Sequence, residues 1–134
     1  MKITGLDVLD STIQRTNAWL KELMQELNWT DRRKTYLALR SVLHTVRDHL
    51  PVETAVYFGE QLPILLRGVY FEHWDPEGKP LSLPSPDDLT LDETVIRAVF
   101  RLLDRKAADG EIEDLQHLLP GRLQDLWPQT LRAA

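Results

Sequence analysis

The stretch FGEQLPILLRGVYFEHWDP, residues Phe58–Pro76, decides the fold that the sequence predicts. Proline is well tolerated in the first turn of a helix, so Pro63 predicts a chain break followed by a new helix over Leu62–Phe71. A short helix over Val52–Phe58 is expected before the break. Gly59 is expected to end that helix in the left-handed conformation, which glycine adopts without a steric penalty.

Two longer amphipathic helices are predicted before this stretch. Apolar residues recur at spacings of three and four over residues 10–27 and again over residues 30–49. This period places them on one face of a helix, which must be buried against another element. Leu50-Pro51 ends the second helix, because proline disfavours helical geometry in the residue before it.

The chain after the stretch is predicted to return to helix only beyond a long connection. Residues 72–88 hold four prolines and a glycine, which exclude an uninterrupted helix. Thr90-Leu-Asp-Glu93 then has the pattern of a capping box and predicts a helix to about Ala107. A short helix over Glu111–His117 and a last segment from Pro120 are expected to follow.

An internal repeat relates the two parts of the chain. A shift of 57 positions aligns Leu62-Pro63 with Leu119-Pro120 and Tyr70 with Trp127, without a gap. Apolar residues also coincide at Leu39/Ile96, Val42/Val99, Leu43/Phe100, Val46/Leu103, Ala55/Ile112, Phe58/Leu115 and Leu66/Leu123.

The repeat predicts the architecture of the whole chain. Residues 1–134 are expected to form a single domain, with duplicated halves over 30–71 and 87–128 that bury each other's apolar faces. The first helix, residues 10–27, has no counterpart in the second half. The predicted fold is an all-α, orthogonal helical bundle of about seven helical segments, built from two duplicated halves plus an N-terminal helix.

Composition favours a soluble protein and excludes thiol chemistry. Apolar residues make up 43% of the chain and charged residues 28%, which is typical of globular proteins. There is no cysteine, so disulfides, thiolate metal sites and cysteine nucleophiles are excluded. No apolar run approaches the length of a membrane span, and the first residues lack the apolar core of a signal peptide. We therefore expect a cytoplasmic protein with no membrane partner.

The net charge of −5 argues against binding to a nucleic-acid backbone, which needs clustered lysine and arginine. The chain has one basic cluster, Arg32-Arg33-Lys34, and Asp31 precedes it directly. A solvated helix face is the preferred interpretation of this cluster. Nucleic-acid binding is kept as the less favoured alternative.

The quoted stretch and its surroundings resemble a known family. The segments TNAWLKELMQELNW and ALRSVLHTVRDHLPVETAVYFGEQLPILLRGVYFEHWDP are similar to those of DUF2267, a bacterial family of unknown function. The most specific part is G-x-Q-L-P-x-L-x-R-G-x-Y-[YF]-E-x-W, which matches Gly59–Trp74. The resemblance implies a small helical, often duplicated cytosolic protein, and it implies no activity, cofactor or catalytic residue. His73 stands where the family is expected to have glycine.

No metal, cofactor or catalytic residue is predicted. His44 and His49 are five residues apart, whereas two ligands on one helix face need a spacing of three or four. The serines lie in no G-x-S-x-G pattern, and no phosphate-binding glycine loop is present. These absences favour a non-enzymatic protein and leave the question of an activity open.

The leading interpretation is a helical module that binds another protein, or a second copy of itself. The predicted binding patch comprises Tyr70, Phe71 and Trp74 and the connection that follows, because bulky rings beside a proline-rich segment can remain exposed.

The alternative is a small-ligand-binding protein or an enzyme. In that interpretation Glu60, Arg67, Glu72 and His73 converge in one pocket beside the aromatic rings, where Arg67 holds an anion. A purely structural interpretation of Arg67 is also open. Its guanidinium would then pair with Glu60 or with a carbonyl at the end of a helix, and would fix the break between helices.

Overall fold

A computed structural model describes residues 3–81 and 92–128 of the chain. In these ranges the protein has six α-helices, one 3-10 turn and no β-strand. The predicted all-α class is confirmed. The helices are α1 (Asp7–Leu27), α2 (Arg32–Asp48), α3 (Val52–Glu60), α4 (Ile64–Phe71), α5 (Glu93–Ala108) and α6 (Gly121–Gln124), and the 3-10 turn over Gln116–Leu118 lies between α5 and α6.

One hydrophobic core joins all of these elements. The side chain of Trp19 enters it from α1, that of Tyr70 from α4 and that of Phe100 from α5, each with an exposed fraction of 1% or less. Helix α1 packs against α2, α4 and α5, so it covers the face that the other helices leave open. Apolar residues at helical spacing form one stripe along each helix. Burial of these stripes in the core stabilises the helices.

Ion pairs also hold α1 against α5. The carboxylate of Glu26 accepts hydrogen bonds from Arg101 and Arg105, and that of Glu22 accepts one from the buried Lys106 at 2.6 Å. Partial burial alone would raise the pKa of Glu26, but the two arginine bonds outweigh this effect and lower it. The acidic side chains on this part of α1 are therefore directed towards α5.

The role predicted for Gly59 is wrong. Gly59 lies within α3, which continues to Glu60, and it does not adopt the left-handed conformation. A Cβ atom at this position would lie 2.5 Å from the ring of Phe71 and 2.7 Å from the ring of Tyr70. Glycine is required here by the close approach of two rings, and not by the backbone conformation.

The short helix predicted over Glu111–His117 is also wrong, since only the 3-10 turn forms there. The backbone N–H of Glu113 donates to the side chain of Gln61, and that of Gln116 donates to Asp114. Side-chain acceptors therefore replace the helical carbonyl acceptors at these two amides. Gln61, which accepts the N–H of Glu113, lies in the other half of the chain, and no local pattern reveals this bond.

The start of α5 differs from the predicted capping box. Asp92 is the capping residue, and its carboxylate accepts the backbone N–H of Thr94 at 2.8 Å. The predicted cap, Thr90, lies outside the described residues. The carboxylates of Asp92 and Glu93 still place negative charge at the start of α5, which is the positive end of the helix dipole.

The predicted duplication stays a prediction, and three observations support it. Pro63 and Pro120 both precede a helix in nearly the same conformation, with φ and ψ of −51° and 146° and of −60° and 153°. All nine matched apolar pairs are buried in both halves. Arg47 bonds to the backbone of Tyr70, and the residue matched to it, Asp104, bonds to the indole of Trp127.

Candidate functional site

The Gly59–Trp74 motif forms the end of α3, the break, α4 and the following turn. Tyr70 is its centre: the side chain is fully buried and the hydroxyl donates to the carbonyl of Ala55 at 2.8 Å. The ring of Tyr70 meets those of Phe58 and Phe71 edge-on, with centroids 5.5 and 4.9 Å apart. Burial raises the pKa of Tyr70 well above its ordinary value, so the hydroxyl stays protonated and keeps this bond.

Phe71 and Trp74 lie at the edge of the core. Both side chains are half-buried and packed against it, and their ring centroids are 5.5 Å apart. The backbone N–H of Trp74 donates to the carbonyl of Phe71 at 3.1 Å, which holds the turn closed. Of the predicted patch, Tyr70 therefore has no exposed surface, whereas Phe71 and Trp74 keep part of theirs.

Arg67 closes the break between α3 and α4. Its guanidinium donates to the carbonyl of Glu60 at 2.8 Å and to that of Leu62 at 3.3 Å. These carbonyls lie at and just beyond the end of α3, where a helix leaves its last acceptors unsatisfied. The structural interpretation of Arg67 thus describes its observed contacts.

Three basic side chains on α2 bind the other end of α4, and none of them was predicted from the sequence to have this role. Arg40, His44 and Arg47 lie at spacings of four and three, which places them on one helix face. Arg47 is the most buried, with 5% of its area exposed, and its Nη1 donates to the carbonyls of Tyr70 and Glu72 at 2.8 and 2.9 Å. Its other nitrogens bind the carboxylate of Asp48.

Arg40 and His44, on the same face of α2, also bind groups at the end of α4. Arg40 donates to the carboxylate of Glu72 at 2.8 Å, and this bond lowers the pKa of Glu72. The Nε2 atom of His44 lies 2.7 Å from the carbonyl of Val69, to which its N–H donates. We call Arg40, His44 and Arg47 the α2 basic face. Positive charge at a helix C-terminus is favourable, so Arg40 and Arg47 stabilise the end of α4 by their charge and their hydrogen bonds. His44 stabilises it through its hydrogen bond to Val69.

Acid is expected to destabilise the protein in two steps. Burial, followed by the nearby Arg47 and Arg40, lowers the pKa of His44 below its ordinary value of 6.5. The unfolded state then binds more protons than the folded state, so stability is fully present above about pH 6.5 and falls as the pH drops through that value. The lowered pKa values of Glu26 and Glu72 add a second loss below their ordinary value of 4.5.

Thermal unfolding at a series of pH values checks the first step. The melting temperature should fall between about pH 7.5 and pH 5.5 in the wild type, because His44 must take up a proton in the unfolded state. It should fall less steeply in His44→Gln, whose amide can still donate to Val69. Equal slopes in the two proteins would contradict this origin.

His73 adopts the left-handed conformation, with φ of 60°. A non-glycine residue is strained there by about 1 kcal/mol, which accounts for the glycine expected at this position from the family resemblance. We expect His73→Gly to raise the free energy of unfolding by about 0.5 to 1 kcal/mol. His73→Ala, which keeps the Cβ atom, should give no gain in chemical denaturation. A loss of stability in His73→Gly would show that the histidine side chain itself stabilises the turn.

A separate apolar surface lies where α1 and α4 begin. Val8, Leu9, Ile64 and Leu65 have exposed fractions of 59%, 39%, 47% and 45%. The backbone N–H of Leu65 donates to the hydroxyl of Thr12 at 3.1 Å, which brings the start of α4 against α1. Val8 and Leu9 lie one turn before Thr12 on the same helix face. We call these four residues the α1–α4 apolar surface.

The surface depressions in the described part of the chain include three of moderate size, with volumes of about 340, 220 and 460 Å³. The first lies between α1 and α5, the second between α3 and the 3-10 turn, and the third where α1 ends and α2 begins. None of these three is lined by Glu60, Arg67, Glu72 or His73. Arg67 and Glu72 instead bond to different partners.

Two further kinds of feature are absent from residues 3–81 and 92–128. No group of three or more histidine and carboxylate side chains is placed to hold a metal ion in these ranges. In the same ranges, no helix has both the length and the apolarity needed to cross a lipid bilayer.

The fold and the contacts of the motif define the class of protein. It is a small all-α bundle in which the Gly59–Trp74 motif is held against the α2 basic face. Residues 16–126 match the sequence model of the family described as "Uncharacterized conserved protein (DUF2267)", and the chain belongs to this family. The resemblance stated from the sequence is therefore confirmed. A comparison with curated protein sequences found no match.

Proposed function

We propose that the protein is a non-enzymatic helical module that binds another protein, or a second copy of itself, through the α1–α4 apolar surface. The observations that support this proposal are the exposure of four aliphatic side chains and the bond that joins their two helices. Val8 and Leu9 lie one turn before Thr12 on α1, and Ile64 and Leu65 lie at the start of α4, where the N–H of Leu65 donates to Thr12. Contiguous exposed apolar surface is unfavourable in water and typically marks a site of protein contact.

The proposed surface differs from the Tyr70–Trp74 patch expected from the sequence. Tyr70 is buried, and Phe71 and Trp74 share their area with the core. Ile64 and Leu65 are at the opposite end of the same helix, about 10 Å away at 1.5 Å per residue. The side chains with the larger exposed fractions are at that end, so we place the contact there and assign the rings of Phe71 and Trp74 mainly to packing.

The alternative of a ligand pocket or an active site has less support. Acid–base chemistry needs two titratable groups that converge on one cleft. Glu72 is held by Arg40 from α2, while Arg67 is turned back to the end of α3. Nucleic-acid binding also has less support, because Lys34 lies over the ring of Trp29 within an otherwise acidic chain.

A matched pair of charge substitutions tests the proposal. Leu65→Lys places a cation in the α1–α4 apolar surface, and Leu37→Lys makes the same change on α2 at a leucine of similar exposure, 43%. Both positions are exposed, so both variants should fold. Light scattering after size-exclusion chromatography measures self-association, and affinity capture followed by mass spectrometry measures binding to other proteins.

We expect Leu37→Lys to behave as the wild type and Leu65→Lys to lose the dimer or the captured protein. A buried lysine without a partner is strongly unfavourable, so the loss should be at least tenfold in affinity. If wild type and both variants are identical monomers with identical captured proteins, the proposal is wrong.

A further inference from the structure

A cavity at the other end of α1 has a chemical character that the protein-binding proposal does not use. It lies where α1 ends and α2 begins and has a volume of about 460 Å³. Small-molecule sites have volumes of about 300 to 1,000 Å³, and this one is a groove that is open to solvent. We call this site the α1–α2 cavity. It is lined by Lys21, Met24, Gln25, Asn28, Trp29, Thr30 and Arg32.

The charge of this lining is opposite to that of the chain. The protein has 21 acidic and 16 basic residues, yet the lining holds two cations, Lys21 and Arg32, and no carboxylate. The acidic residues of the same part of α1, Glu22 and Glu26, are paired with basic residues of α5. The carboxylate of Asp31 accepts the backbone N–H of Lys34. The charges of Glu22 and Glu26 are thus compensated by α5, whereas Asp31 keeps its charge at the start of α2. The lining itself carries two cations and no carboxylate, and so it favours an anion.

An indole ring forms one wall of the cavity and is held in place. The backbone N–H of Trp29 donates to the carbonyl of Met24 at 2.9 Å, after Asn28 turns the chain in the left-handed conformation. The Nζ atom of Lys34 lies 4.2 Å from the centre of the Trp29 ring and fixes it against α2. Lys34 occupies one face of the ring, so a flat group would stack on the part of the ring that lines the cavity.

Hydrogen-bond donors line the cavity beside the Trp29 ring, so the site combines an aromatic surface with polar groups. Arg32 uses one Nη2 bond on the amide oxygen of Asn17, and a guanidinium has five N–H donors in total. The side-chain amides of Gln25 and Asn28 and the hydroxyl of Thr30 supply further donors along the same lining.

We propose that the α1–α2 cavity binds a small anion that carries an aromatic ring. The ring stacks on Trp29 beside the thioether of Met24, and the carboxylate or phosphate is bound by Lys21 and Arg32. This inference is independent of the protein-binding proposal. The α1–α4 apolar surface lies about 20 Å away along α1, at 1.5 Å per residue.

A titration followed by ¹H–¹⁵N NMR tests the inference on the intact chain. The probes are 2-naphthoate and its neutral analogue 2-naphthamide, and adenosine monophosphate and its neutral analogue adenosine. The indole N–H signal of Trp29, assigned with Trp29→Phe, reports on the cavity, and those of the other tryptophans serve as internal controls. We expect a saturable shift at Trp29 with at least one of the two anions and little shift with its neutral analogue.

Substitutions locate the anion. Lys21→Gln, at an exposed position, should weaken binding about twofold to fivefold, as for one partly solvated ion pair. Lys79→Gln, which removes the same charge outside the cavity, should leave binding unchanged. A response to 2-naphthoate alone assigns a carboxylate ligand, and one to adenosine monophosphate alone assigns a phosphate ligand. No shift at Trp29 with either anion, or equal binding of the neutral analogues, would overturn the proposal.

Discussion

Gly59→Ala is expected to lower the free energy of unfolding by about 1 to 2 kcal/mol, although alanine is the better helix former. The new methyl group would lie 2.5 Å from the ring of Phe71 and 2.7 Å from that of Tyr70, so the rings must move. The Tyr70 ring is fixed by full burial and by its bond to Ala55, which makes the movement costly.

The matched control is Gly68→Ala, the same substitution in the same motif. Gly68 is an exposed residue of α4, and a Cβ atom there would have no neighbour within 4 Å. Alanine should raise the free energy of unfolding by about 0.5 to 1 kcal/mol, because it restricts the unfolded chain. Urea denaturation of the two variants beside the wild type measures both changes. Changes of the same sign would contradict the packing role of Gly59.

Arg47→Met is expected to be the most destabilising change in the α2 basic face, by about 2 to 4 kcal/mol. The substitution keeps the apolar stem but removes the donors that bind the carbonyls of Tyr70 and Glu72. It also leaves the carboxylate of Asp48 without its cation. Arg47→Lys should recover only part of the loss, because an ammonium group cannot reproduce the fork of a guanidinium.

Arg40→Met is the control for this prediction, since it removes a more exposed arginine from the same face. The Arg40–Glu72 pair is partly solvated, with side-chain exposures of 30% and 45%. Such pairs contribute about 1 kcal/mol or less. Chemical denaturation compares the two variants, and an Arg47→Met protein as stable as Arg40→Met would show that burial of Arg47 adds nothing.

Local patterns predicted α1 to α5 and much of the core, because these features depend on spacing along the chain. The helical period placed Leu39, Leu43 and Val46 inward, and each is buried. Tyr70, which was expected in the exposed patch, is buried as well. Pro63 and Pro120 marked helix starts correctly, since the fixed φ of proline acts within its own turn. The family resemblance rested on the same motif and is confirmed.

Features that depend on contacts between distant residues were not predictable in this way. The α2 basic face binds carbonyls at the end of α4, 23 to 25 residues further along the chain. Its only signal was the spacing of Arg40, His44 and Arg47, which many solvated helices share. The exposure of Ile64 and Leu65, and the partial burial of Phe71 and Trp74, likewise follow from how α4 packs on its neighbours.

The packing role of the Gly59–Trp74 motif is tested most directly by a double-mutant cycle of Gly59→Ala with Phe71→Ala. If Gly59 is needed because the Phe71 ring approaches it, removing that ring takes away the nearest of the two obstacles to the new methyl group and leaves the Tyr70 ring. Gly59→Ala should then cost about 1 kcal/mol less in the Phe71→Ala protein than in the wild type. Equal costs in the two backgrounds would contradict the contact on which this role depends.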